Sequence, residues 1–202
     1  LNGDGLAEVS VGRFPVRTPA EAAAMVSHTL AYQPAATDFS ALLVSDEAGG
    51  FNFGAESARL KPLFPGAARV REVIYQPQQP GAARAAVFQE MAAGPAFINY
   101  HGHGSTDAWA HSVLTSTDVL PPAPRPALAA LITCLNGFFH DTGVYTQGCV
   151  AESLLSSPQG GAAAVLASTG LCEADPQAEM NRLLVGHLYG SRAQWGPHMT
   201  LG

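Results

Sequence analysis

Five short apolar runs recur along the chain, separated by stretches of helical character, and this alternation restricts the fold more than any other feature. The runs are Ala41–Ser45, Val70–Tyr75, Ala96–Tyr100, Leu128–Thr133 and Ala162–Ser168. Strands that alternate with helices pair in parallel, with the helices laid over the sheet. Nearly continuous apolar strands suit a sheet covered on both faces, where no side meets water. Helices are predicted from Pro19 to about Tyr32 and over Ala55–Leu63, Ala82–Ala93, Gly148–Ser156 and Pro176–Tyr189. Thr18 is placed to N-cap the first, with Pro19 at its first position, Glu21 completing a capping box and Pro34 stopping it. Asp175 is expected to cap the last. The turn-rich segments Glu47–Gly54, Gln76–Gly81 and Pro121–Pro126 lack the length and polarity of a linker, so a single domain over residues 1–202 is expected.

Composition removes several function classes. With 47% hydrophobic and 13% charged residues the chain is not disordered, because it has enough apolar surface to bury and little charge to repel collapse. A net charge of −6 argues against a nucleic-acid partner, which requires a basic face. No apolar run reaches the ~18 residues of a membrane span. The chain opens at Leu1 without Met and without a charged-then-apolar signal segment, as expected of a fragment of a longer precursor truncated at its N-terminus. Cys134, Cys149 and Cys172 form no C-x-x-C spacing, and an odd number leaves at least one thiol free. Near the start, Asn2-Gly3-Asp4-Gly5 with Glu8 reads either as the tail of a calcium loop or as a plain turn. A structural calcium is therefore a possible cofactor, and no cofactor is required.

Chemistry-bearing residues concentrate at two predicted strand ends. Asn99-Tyr100-His101-Gly102-His103-Gly104-Ser105 follows one strand, and Thr133-Cys134-Leu135-Asn136-Gly137 follows another. In open parallel sheets ligands bind beyond the carboxyl ends of strands. A thiol and an imidazole on neighbouring ends are the components of nucleophilic cysteine catalysis. Gly104 lacks a Cβ, so its N–H can approach a substrate carbonyl. With the N–H of Cys134 it would form an oxyanion hole, in which loss of one donor typically costs ~10²–10³ in rate. The glycines alone would equally make a tight turn.

Taken together these blocks resemble the gingipain family of cysteine peptidases, part of the caspase-like group. The resemblance runs through Ala96–Ser105 with Ala108-Trp109 behind it, and through Leu131–Phe139. It extends to Gly12-Arg13-Phe14-Pro15, to Cys149–Leu155, and to Gly161–Thr169 followed by Glu179-Met180-Asn181. It implies an α/β fold, a caspase-like three-layer sandwich with a mostly parallel central sheet. It implies a cysteine endopeptidase working through a Cys-His dyad and an acyl-enzyme thioester on protein or peptide substrates, secreted or on the cell surface. The family's Gly-His-Gly-Ser falls on Gly102–Ser105, making His103 the catalytic histidine, and Cys-x-Asn-Gly falls on Cys134–Gly137, making Cys134 the nucleophile. Cys149 takes a helical position and is not expected to react. A carboxylate after an earlier strand holds the family's histidine; here Asp46 is the expected residue and Glu47 its substitute, unless both only make a solvated turn. Glu56 and Glu173 fall in regions that line the family's first substrate pocket, and Trp109 lines the cleft or belongs to the core.

Other readings compete. His101, His103, Asp107 and His111 are ligand types for a metal-dependent hydrolase, although the H-x-H-x-D-H spacing is absent. A sortase-like transpeptidase would use the same thioester with an amine as acceptor. An inactive peptide-binding scaffold would keep the fold without turnover.

Overall fold

The computed structural model describes residues 11–32, 39–140 and 148–190. The candidate calcium segment Asn2–Glu8 lies outside the described residues. Five parallel strands, β1 (Ser40–Ser45), β2 (Arg69–Ile74), β3 (Phe97–His101), β4 (Ala127–Ile132) and β5 (Ala162–Ala167), form one sheet in the order β2-β1-β3-β4-β5. β1, β3 and β4 are almost entirely buried. Their side chains alternate between two apolar layers, so the helices cover both faces and the molecule has three layers.

One layer packs Val44, Tyr100 and Leu131 against α3 (Pro80–Ala92) and α4 (Val150–Ser156). α1 (Pro19–Ala31) joins it beside α4 and β5. The other packs Leu43, Phe97 and Ile132 against Leu60, Phe64 and Val185 of α5 (Ala174–Tyr189). On that side Asn99 and Asn181 exchange two buried hydrogen bonds, at 2.8 and 3.1 Å. Two amides that satisfy each other fix the register of α5 over the sheet, because shifting either would orphan buried polar groups.

The expected helices are present with instructive differences. Thr18 and Glu21 form the capping box of α1, and Pro19 opens it. α3 begins two residues earlier than predicted, at Pro80. The predicted Ala55–Leu63 helix divides into α2 (Phe53–Ala58), capped by the Asn52 side chain, and a 3-10 turn at Lys61–Leu63. Pro62 has no N–H and clashes with the preceding turn, so an α-helix cannot pass through it. Asp175 does not cap α5: the cap position is Glu173, and Asp175 lies in the first turn, where its charge meets the positive end of the helix dipole. β2 also departs from the apolar pattern. It is an edge strand with most residues exposed, and Arg71 and Glu72 pair with Glu90 and Lys61.

Candidate active site

The strand order reverses between β1 and β3: from β1 the chain moves outward to β2, then returns to β3 and on to β4 and β5. At such a switch point the connections leave the two strand ends in opposite directions and open a crevice beyond the carboxyl edge. Asp46 and Glu47 leave β1 there, His103 follows β3, and Cys134 follows β4, the strand hydrogen-bonded to β3.

The main chain of His103 is held on both sides. Its N–H donates to Asp46 Oδ2 at 3.2 Å. Its carbonyl accepts from the Tyr100 hydroxyl at 2.6 Å and from the Ala110 N–H at 2.9 Å. The Tyr100 hydroxyl also accepts from the Ala110 N–H at 3.0 Å, and burial raises its pKa far above the ordinary tyrosine value. It therefore stays protonated and serves as a fixed clamp. The His103 ring is exposed and packs edge-on against Phe53, with centroids 5.1 Å apart.

Gly104 brings this loop against the loop of β4. A Cβ at Gly104 would stand 2.6 Å from Thr133 Oγ1, so only glycine permits the approach. Asn136 reinforces the contact: its Nδ2 donates to the Ser105 carbonyl at 2.6 Å and lies 3.3 Å from that of Ala108. Among the described residues the amide N–H groups of Gly104 and Cys134 have no acceptor.

Cys134 is half-buried and free. Its Sγ accepts from the Cys172 N–H at 3.3 Å and faces the Cys172 carbonyl at 3.6 Å. Leu135 follows in a left-handed conformation (φ 60°), uncommon for a branched residue. The turn closes through its N–H to Gly170 and through Gly137 N–H to Ser168. A Cβ on Gly137 would lie 2.7 Å from the Ala167 carbonyl. The loops after β4 and β5 are thus locked together under the thiol.

The other sequence candidates separate. Asp46 reaches His103 through the main chain, and its second oxygen lies 3.2 Å from His111 Nε2; the carboxylate holds the loop where an imidazole contact was expected. Glu47 Oε1 is also 3.2 Å from His111 Nε2. Glu56 is paired on its own helix with Arg59 at 2.9 Å. Glu173, with Cys172, Leu166 and Met180, lines a cavity of about 420 Å³ between β5 and α5. Trp109 does not line the cleft. It is 1% exposed and stacked on Tyr100, centroids 4.2 Å apart, because the turn after Gly104 folds it back into the core.

The four residues of the metal-hydrolase reading do not converge. His101 is fully buried against Phe51 and Phe53, and burial among these rings pushes its pKa down to about 4. Asp107 accepts from Ser105 Oγ. Among the described residues the donors that do converge are Asp46, Glu47 and His111. Cys149 is buried at the start of α4, and burial pushes its thiol up to about 12.

Asn136, Tyr100 and Cys172 had no assigned role in the sequence, and His111 entered only as a metal-ligand type. Of the first three, Asn136 alone carried a signal, through its place in Cys-x-Asn-Gly.

The model that describes peptidase family C25 matches residues 1–202. No curated protein matches the chain. Among solved structures, gingipain R (RgpB), described as an Arg-specific cysteine proteinase, is similar with a TM-score of 0.72 and 21% identity over 93% of this chain and 47% of that one. A complex of the pro- and mature domains of RgpB from Porphyromonas gingivalis gives 0.67 and 23% identity over 88% and 46%. A further protease structure gives 0.60 and 20% identity over 79% and 36%. The chain spans less than half the length of these proteins, and what it shares with them is the caspase-like fold expected from the resemblance.

Proposed function

The chain belongs to peptidase family C25, and from that premise we propose that it is a cysteine peptidase in which Cys134 is the nucleophile and His103 its base. The observation that carries this reading is the contact of Gly104 with Thr133, which lays the loop of His103 against the loop of Cys134 at the switch-point edge. His103 takes the Cys134 proton, and the thiolate attacks the carbonyl carbon of a peptide bond, forming a C–S bond and an oxyanion. The unengaged N–H groups of Gly104 and Cys134 supply the two donors that the oxyanion needs. His103 returns its proton to the leaving amine as the C–N bond breaks, leaving a thioester. Water, deprotonated by His103, attacks the thioester and releases acid and thiol. The Cys172 N–H, donating to Cys134 Sγ, holds the sulfur in place at the end of β4. Substrates are proteins or peptides, with Glu173 at the rim of the adjoining apolar cavity.

Iodoacetamide labelling followed by peptide mapping tests the assignment. Cys134 is modified first near neutral pH with loss of peptide cleavage, chelators have no effect, and Cys134→Ala removes turnover with an unchanged fold. Equal labelling of the accessible thiols, or inactivation by chelator alone, overturns it.

A further inference from the structure

Asp46 is a buried carboxylate beside a second one, Glu47, and its two oxygens face different groups. Oδ2 accepts the main-chain N–H of His103; Oδ1 lies 3.2 Å from His111 Nε2, which is also 3.2 Å from Glu47 Oε1. Oδ1 also accepts the Glu47 N–H at 2.8 Å, and with its side chain only 2% exposed Asp46 depends on such donors to stay satisfied. Among the described residues the ion-pair partner of both is His111. The nearby cation Arg84 is engaged bidentately by Asp118.

The backbone is bent to deliver this ring. His111 and Ser112 are consecutive left-handed residues, φ 56° and 53°, neither of them glycine. Such a pair persists only where surrounding contacts impose it. The imposing contact here is Tyr75, whose ring lies flat on that of His111, centroids 3.8 Å apart and planes 2° from parallel. His111 also follows Ala110, whose N–H binds the His103 carbonyl. The same turn therefore grips His103 twice: directly at its carbonyl, and through Asp46 at its N–H.

We propose that His111 is a positioning residue of the site. Its imidazole, seated on Tyr75, bridges Asp46 and Glu47 and so fixes the carboxylate that holds the main chain of His103. The groups facing the ring are Asp46, Glu47 and Tyr75. This inference rests on the His103–Cys134 reading above.

The test measures the iodoacetamide alkylation rate of Cys134 from pH 5 to 9, with mass-spectrometric site assignment, which needs no substrate. His103→Ala lowers the wild-type rate and alters its pH profile. His111→Ala and Asp46→Asn each lower the rate at neutral pH about tenfold or more and shift the profile towards that of His103→Ala, and the double variant is no worse than the more impaired single one. Added imidazole restores part of the rate to His111→Ala and none to Asp46→Asn. His111→Gln, which keeps a neutral donor and the native fold by circular dichroism, falls between wild type and His111→Ala. If His103→Ala leaves rate and profile unchanged, the dyad itself is refuted. If His103→Ala acts but the His111 variants match wild type, or add independently to Asp46→Asn, the positioning role is refuted while the dyad stands. A wild-type rate that drops to the His111→Ala level in EDTA assigns the cluster to a bound cation and overturns the His111 bridge.

Discussion

Replacing His101 by leucine makes the fold less sensitive to acid, and the size of the effect follows from the burial of the ring. His101 is 1% exposed, lies edge-on to Phe51 and Phe53, and has no partner at either ring nitrogen among the described residues. Its pKa falls from 6.5 to about 4 because the imidazolium would be stranded in an apolar shell. The folded state keeps the neutral ring down to about pH 4, whereas the unfolded chain takes up a proton near 6.5. Below 6.5 the unfolded state thus binds more protons, and stability falls as pH falls. At about 1.4 kcal/mol per pH unit the loss reaches about 3 kcal/mol by pH 4, a large fraction of a typical total of about 5–15 kcal/mol. Urea unfolding followed by the fluorescence of buried Trp109 at several pH values between 7.5 and 4.5 gives the two stability curves. All other titrating groups are common to both, so the difference between wild type and H101L isolates this one. The curves should lie together, within about 1.5 kcal/mol, near neutral pH, as volume-matched apolar replacements usually do, and H101L should gain steadily below 6.5. Parallel curves would mean that the ring is solvated or paired in solution, and the argument from burial would be wrong.

Thiol accessibility gives a second check: a disulfide reagent should titrate Cys134 and Cys172 in the native protein and Cys149 only after denaturation, since Cys149 is fully buried and its thiol is pushed up to about 12. Gly104→Ala places a Cβ 2.6 Å from Thr133 Oγ1; it should lower peptide cleavage by about 10²-fold or more by parting the two loops, with the loss in kcat rather than KM. Asn136→Ala removes the 2.6 Å bond to the Ser105 carbonyl and should lower the urea-derived stability by about 1–3 kcal/mol while slowing Cys134 alkylation. Trp109→Ala should cost about 3–5 kcal/mol of stability and leave the KM of any folded remainder unchanged, as a core residue does and a cleft residue does not.

The central strands were legible in the sequence because each is buried on both faces, which leaves an unbroken apolar run. β2 shows the limit of that signal. Arg69, Arg71 and Glu72 sit on an edge strand whose outer side meets water, and its charges are accommodated by Glu90 and Lys61 on the neighbouring α3 and 3-10 segments. The start of α1 was readable because Thr18, Pro19 and Glu21 together spell a capping box, whereas the single Asn52 cap of α2 was not read. The start of α5 was missed because the main chain caps it unaided, at Glu173.

The candidate site divides along the same line. His103, Cys134 and Gly104 stand out because their chemistry or their missing Cβ is a property of the residue type. Tyr100, Asn136 and His111 act on main-chain groups or on another side chain brought near by the turn after Gly104, and nothing in their own identity announces it. His101 and His103 make the point within one motif: two histidines separated by one glycine, one enclosed by Phe51 and Phe53 and the other exposed at the crevice. Alternation along β3 and the turn that follows decide between them, since residue 101 still belongs to the strand and residue 103 is held clear of it by Asp46 and Tyr100. A carboxylate that grips the main chain positions the whole residue and leaves both ring nitrogens available. Asp46, in contact with both the His103 N–H and His111 Nε2, therefore acts on His103 through the main chain of its loop.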